Sequence, residues 1–247
     1  MLEARNLAAA FEGRVIFQNL DLAVAPGERV HVAAPSGAGK TTLARILAGY
    51  AAPAAGEVLV DGVPLPRRGP CPVQLIGQHP EHTLDPRLRM EASLREALQA
   101  TRGETAPRRG VSFSRRFSAQ SAEGAPENET PLRGAVSRGG ATAFDAETEV
   151  LLSALGIQRR WLTRYPHELS GGELQRFCIA RALLANPRYL IADEISTMLD
   201  ALTQAQIWSV LLQEAERRNL GLILTTHSPA LAARLATRTV VLPAVRG

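Results

Sequence analysis

The chain is predicted to be an α/β protein whose main sheet is largely parallel and covered by helices on both faces. Three observations predict this. The apolar run Val30-His31-Val32-Ala33 leads into a glycine-rich turn and then a helix-forming segment. Tyr189-Leu190-Ile191-Ala192 is a second apolar run, ended by the acids Asp193-Glu194. Between and after these, strand-like and helix-like stretches alternate, which is the pattern of parallel strands joined by crossover helices.

Taken in order, the elements follow from local pattern. Short β-prone runs over Leu2–Leu7, Arg14–Phe17 and Leu20–Val24 precede a Pro26-Gly27 turn. The strand Arg29–Ala33 comes next, then the glycine-rich turn and a helix over Lys40–Leu47. Glu57–Val60 runs into Asp61-Gly62, a dipeptide that favours a tight hairpin. Val73–Ile76 is a short apolar strand ending at Gly77-Gln78, and Ser93–Ala97 is helical. Residues 101–143 are rich in Gly, Ser, Ala, Pro, Glu and Arg with almost no apolar periodicity, so they are expected to be a disordered insertion. Helices are expected over Ala146–Leu155, Gly171–Leu184 and Leu202–Arg218. In the last of these, Ile207, Trp208, Leu211, Leu212 and Ala215 share one face. Strands Tyr189–Ala192, Gly221–Thr225 and Thr237–Leu242, with the helix Pro229–Leu235, complete the set.

Composition narrows the possibilities. An apolar fraction of 45% supplies a core, yet aromatics are only 4%, so packing rests on Ala, Leu, Val and Ile. A net charge of +4, spread along the chain, is too mild to argue for nucleic acid as a partner. Cys71 and Cys178 lack metal-ligand spacing and read as small core residues of a reducing compartment. No apolar run reaches the length of a membrane span and no secretory leader is evident, which leads to the expectation of a soluble cytoplasmic protein.

The chemistry begins at Lys40. Of 28 basic residues it is the one lysine, and it closes Ala34-Pro35-Ser36-Gly37-Ala38-Gly39-Lys40-Thr41-Thr42. Glycines let the backbone curl around a polyphosphate, and a helix N-terminus adds favourable dipole. A compact ammonium fits inside such a nest of N–H groups where a planar guanidinium would not. The loop pattern for phosphate binding has Ala34 in place of its first glycine, which is harmless if that residue keeps a negative φ. Thr41 is positioned to put its hydroxyl on Mg²⁺. Asp193 would hold the same ion through water, and Glu194 would take a proton from, or orient, the water that attacks the γ-phosphate.

A second anion site is written in Leu169-Ser170-Gly171-Gly172-Glu173-Leu174-Gln175-Arg176, where a serine and two glycines open a helix. With this run the chain resembles the ATP-binding cassette family, over nearly its whole length except the 101–143 insertion. The resemblance implies a P-loop nucleotide-binding domain spanning 1–247, with an N-terminal antiparallel β subdomain and a helical subdomain inserted over about 79–168. It implies that Ser170, Gly171 and Gly172 cover the γ-phosphate of ATP held by a second subunit's loop. It also implies that Phe11 stacks on adenine, that Gln78 reaches Mg²⁺ and water, that His227 contacts the γ-phosphate, and that Ser196-Thr197-Met198-Leu199-Asp200 packs across the dimer. His79 and His82 are assigned no role.

Gln78-His79-Pro80, Leu84-Asp85-Pro86-Arg87 and Tyr165-Pro166-His167-Glu168 resemble segments of the peptide and nickel import branch. That likeness implies an ATP-hydrolysing importer subunit that works with a second ATPase subunit, identical or related. Two separate integral-membrane permease subunits and, indirectly, an extracytoplasmic substrate-binding protein would complete the assembly, with this chain peripheral on the cytoplasmic face of the membrane. The alternative is the ATPase of a soluble phosphonate-degrading complex, whose component resembles the same branch. Lys40 and Ser170 are separated by 130 residues without heptads (170 − 40 = 130), unlike DNA-repair cassettes with their inserted coiled coils.

Overall fold

The computed structural model describes residues 1–66, 69–101, 143–197 and 199–242. Nearly all of the 101–143 stretch and Met198 lie outside these residues; Thr101, at the edge of that stretch, ends a helix.

Strands β1 (Leu2–Phe11), β2 (Arg14–Val24), β4 (Ala55–Val60) and β5 (Val63–Pro64) form an antiparallel sheet in the order β2-β1-β4-β5. The expected break between Arg14–Phe17 and Leu20–Val24 is absent, because β2 runs through it as one strand. Pairing passes from Leu7↔Leu20 to Ala9↔Phe17, which leaves one extra residue on β2, where Asn19 has φ 53°. A matching extra residue on β1 falls at Asn6, φ 47°. Asparagine tolerates this left-handed backbone, so each bulge bends the ribbon without ending it. β1 likewise continues past Leu7 to Phe11, because β2 and β4 pair with its alanines despite their weak strand propensity.

The second sheet is wholly parallel: β6 (Val73–Ile76), β7 (Tyr189–Asp193), β8 (Gly221–Thr225), β3 (Arg29–Ala33) and β9 (Arg238–Val241), in that order. Its side chains alternate between two cores, as strand geometry requires. Val30, Val32, Val73, Tyr189, Ile191 and Ile223 join the antiparallel sheet and helix α1 (Lys40–Leu47) in one. Ile76, Leu190, Ala192, Leu222 and Leu224 join helices α2 (Met90–Thr101), α4 (Gly171–Leu184) and α5 (Ala201–Arg218) in the other. Helix α3 (Ala146–Ala154) packs at the edge of the second core, and α6 (Pro229–Leu235) leads into β9.

Between positions 79 and 168 the described residues form helices and 3-10 turns and no strand. Helix α2 starts three residues before the expected Ser93, because Met90, Leu94 and Ala97 make the buried face at helical spacing. Helix α4 is buried on most sides. Its Cys178 is fully enclosed, and burial pushes the thiol up to about 12. Cys71 is only partly buried, so the reading of both cysteines as core residues holds fully for one of them. No described helix is long and apolar enough to cross a membrane.

Candidate active site

Parallel strands bring their C-terminal ends to one edge of the sheet, and ligands of such sheets sit there. Four of the five ends at this edge carry or lead into candidate site residues: β3 before Ala34, β7 at Asp193, β8 at Thr225 and β6 at Ile76, before Gly77-Gln78.

The loop after β3 depends on its glycines. Gly37 and Gly39 have φ 74° and 94°. A Cβ on Gly39 would also lie 2.4 Å from Ile16 Cγ2, so an alanine there is both strained and blocked. Ala34 stays out of the left-handed region, which removes the cost attached to the missing first glycine. Helix α1 begins at Lys40 with no side-chain cap, so the amides of its first turn keep their capacity for an anion. Lys40 is only 6% exposed. Its Nζ donates to Ala34 O at 3.1 Å and Pro35 O at 3.2 Å, and lies 3.8 Å from Glu194 Oε1.

Glu194 adopts φ 52°, a left-handed turn that carries the chain off β7. Its carboxylate meets His227 Nε2 at 2.7 Å, and its side chain is 12% exposed against 53% for His227. One residue earlier, Asp193 is 2% exposed and accepts a hydrogen bond from Thr225 Oγ1 at 2.6 Å. The same hydroxyl accepts from Glu194 N at 3.1 Å. Thr225 therefore ties both acids to β8, a role that sequence reading missed. The signal was available only as register, since Asp193 pairs with Thr225 across two strands distant in sequence.

Phe11 is 64% exposed at the end of β1, which excludes a core role for it. It lines a cleft of about 890 Å³ together with Arg14, Ser36, Gly37, Ala38 and Thr42. Thr41 is exposed beside them. Gln78 lies in a small crevice with Gly171, Gln175, Thr197 and Leu199, and Gln175 Nε2 donates to Gly77 O at 3.4 Å. The helix that begins at Gly171 is thus bonded to the segment bearing Gln78.

Ser170 caps α4. Its hydroxyl and amide both donate to Glu173 Oε2, at 2.9 and 2.8 Å, while Glu173 N donates to Ser170 Oγ at 3.4 Å. Gly171 stands exposed beside it and Gly172 is half-buried. The structure thus assembles Lys40, Asp193, Glu194 and His227 in one place, and Ser170 bonds to Glu173 instead. Asp200 caps α5 by accepting from Leu202 N at 3.0 Å and Thr203 N at 2.9 Å. The backbone bond from Thr203, above all, holds its carboxyl below the usual range.

Comparison with known proteins places this geometry in context. The family model described as "ABC transporter" matches residues 17–197. The chain is 30% identical over 244 residues to the nickel import system ATP-binding protein NikE of Staphylococcus aureus strain MSSA476, covering 98% of this chain and 86% of that one. The same protein from strain USA300 matches to the same extent. Among solved structures, an ATP-binding subunit of an ABC transporter aligns with TM-score 0.71 and 23% identity, over 98% of this chain and 85% of that one. The dimeric structure of MJ0796, a bacterial ABC transporter cassette, aligns with TM-score 0.69 and 23% identity over the full length of both.

Proposed function

The chain belongs to the ABC transporter family as an ATP-hydrolysing subunit, and from that premise we propose that it powers import through separate permease subunits by closing on a second ATPase subunit. The cargo class we propose is peptide, nickel or related metal and opine-type solutes, in keeping with the nickel import relatives. The second ATPase subunit is an identical or related chain. Two integral-membrane permeases and, indirectly, an extracytoplasmic binding protein complete the assembly, with this chain on the cytoplasmic face of the membrane and no nucleic acid partner. A helical subdomain over about 79–168 passes the motion on, and the bond from Gln175 to Gly77 supports a link between that motion and Gln78.

The observation that carries the catalytic reading is the convergence of Lys40 and His227 on one carboxylate, Glu194. Lys40 exchanges its two loop carbonyls for the β- and γ-phosphates of ATP, while the amides of Ser36 to Thr42 wrap the same oxygens. Phe11 stacks on adenine at the open end of the cleft. Glu194 takes a proton from, or orients, the attacking water, and His227 bonds the γ-phosphate while holding that carboxylate. From the partner subunit, the equivalent of Ser170, Gly171 and Gly172 supplies amides to the γ-phosphate, and Asp200 lies beside that contact. For this, Ser170 releases its proton donors from Glu173.

Mg²⁺ suits the donors at this edge. Asp193, Thr41 and Gln78 offer one carboxylate and two neutral oxygens, and Mg²⁺ usually takes few carboxylates alongside phosphate oxygens and water. Among the described residues no cluster of three or more His, Cys, Asp or Glu could hold a metal alone. An ion held there by Thr41, Gln78 and Asp193 would supply positive charge to offset that of the phosphate oxygens.

Glu194→Gln tests the reading. The variant is expected to bind ATP and dimerise in its presence, while steady-state hydrolysis falls by roughly 10²- to 10⁴-fold, the usual worth of a general base. Unchanged turnover would remove Glu194 from the mechanism.

A further inference from the structure

Arg176 belongs to α4, the helix that Ser170 caps, and its guanidinium joins that helix to two others. Nη1 donates to Leu155 O at the end of α3 and to Gln206 Oε1 of α5 at 3.2 Å. Nη2 donates to Thr203 Oγ1 of α5 at 3.2 Å. The last carbonyls of a helix lack partners within it, and those of Ala154 and Leu155 are two such groups. Arg176 takes one, and Gln206 Nε2 takes the other at 3.1 Å. A cation there also suits the negative end of the α3 dipole. The chain leaves α3 through Gly156, φ 67°, where a Cβ would stand 2.8 Å from Arg176 Nη1. The glycine thus serves both the turn and the space that the guanidinium fills.

The α5 side of this junction leads back to the acids. Thr203 is the residue whose amide donates to Asp200 at 2.9 Å. Its neighbour Gln204 donates from Nε2 to Ser196 Oγ at 3.1 Å, and Thr197 Oγ1 donates to Glu194 O at 3.1 Å. The first turn of α5 is therefore bonded to the loop that runs from Glu194 to Asp200. Gly172 leans on the same loop, since a Cβ there would lie 3.3 Å from Leu199 Cδ2. A rigid fork of donors can span α3 and α5 together, whereas one ammonium on a flexible stem cannot.

We infer that Arg176 is a positioning residue for ATP hydrolysis: it locks the helix that Ser170 caps to the start of α5, so that closure of Ser170 on the partner's nucleotide sets the loop bearing this subunit's own Glu194. This rests on the proposed roles of Ser170 and Glu194. Ser170 serves one nucleotide of the pair and Glu194 serves the other, so the α4–α5 junction within each subunit joins the two sites. Contacts give the route, and only a measured coupling shows that it is used.

The test cuts the junction at one arm. Thr203→Val removes the bond to Nη2 alone, because the Asp200 cap uses the Thr203 amide and the α3 bond uses Nη1. Thr203→Ser keeps the hydroxyl, and Arg176→Lys keeps the charge without the fork. Thr203→Val and Arg176→Lys are each expected to lower kcat for Mg-ATP roughly fivefold, while Thr203→Ser stays near the parent. In a Glu194→Gln background, Thr203→Val is expected to leave ATP-driven dimerisation unchanged by analytical ultracentrifugation, since Ser170 is intact. A purely structural role would weaken dimerisation and turnover together. The double variant Arg176→Lys/Thr203→Val is expected to lose no more than the worse single one. Should Arg176→Lys fail to fold, the contrast between valine and serine at position 203 carries the test alone. Equal kcat for those two, dimerisation that weakens in step with turnover, or losses that multiply in the double variant would overturn the inference. If Ser170→Ala leaves dimerisation of the Glu194→Gln protein unchanged, the reading of Ser170 fails first and takes this inference with it.

Discussion

Replacing Thr225 by valine isolates the bond that ties the two acids of β7 to β8. Valine matches threonine in shape, so the change removes a hydroxyl and little else. Thr225 and Asp193 are 3% and 2% exposed, so water cannot easily replace what is lost. A hydrogen bond to a charged group contributes about 1.5–3 kcal/mol, and the 2.6 Å separation from Asp193 belongs in the upper half of that range. The second bond, from Glu194 N at 3.1 Å, is neutral, and the Thr225 carbonyl at 3.3 Å remains as an alternative acceptor, so it adds only about 0.5 kcal/mol. The expected loss is therefore about 3 kcal/mol, or a fall in Tm of roughly 6–12 °C for a chain of this length. Thr225→Ser keeps the hydroxyl and gives up one methyl, and is expected to cost about 1 kcal/mol. Urea unfolding of the three proteins, with equal m values as the control, measures both differences. A Thr225→Val variant within about 0.5 kcal/mol of the parent would refute the idea that this hydroxyl satisfies a buried carboxylate.

Gly39→Ala is expected to abolish tight nucleotide binding, measured by fluorescent ATP titration, because its Cβ would meet Ile16 at 2.4 Å on a backbone of φ 94°. The same change at Gly37, where nothing lies within 4 Å, is expected to be milder; equal effects would argue against the steric account. In the folded protein a thiol reagent at pH 8 is expected to modify Cys71 first. The fully buried Cys178 thiol is pushed up to about 12 by burial, leaving a thiolate fraction on the order of 10⁻⁴ at that pH. Faster labelling of Cys178 would show that α4 opens more readily than its packing implies.

Much of the sheet could be read from the chain because its strands are short, apolar and ended by turn residues. Arg29–Ala33, Val73–Ile76 and Gly221–Thr225 stand in the structure with the bounds their pattern predicts, as do the helices Lys40–Leu47, Gly171–Leu184 and Pro229–Leu235. The N-terminal ribbon was less legible. Propensity breaks at Asn6 and Asn19, but partner strands on either side keep the pairing going through bulges that no single-strand pattern encodes. Helix α2 was under-read at both ends, since its first anchor, Met90, is defined by what it packs against.

The same division runs through the active site. Amino-acid types alone determined that a phosphate nest exists: glycines where the backbone must turn left-handed, one small cation, and two acids after an apolar strand. These are local requirements, and a chain of residues states them without reference to distant partners. Only the tertiary structure decided that Lys40 and His227 share Glu194 and that Thr225 secures Asp193. Those contacts join positions far apart in the sequence, and they follow from the register of parallel strands, which is set by the packing of the whole sheet.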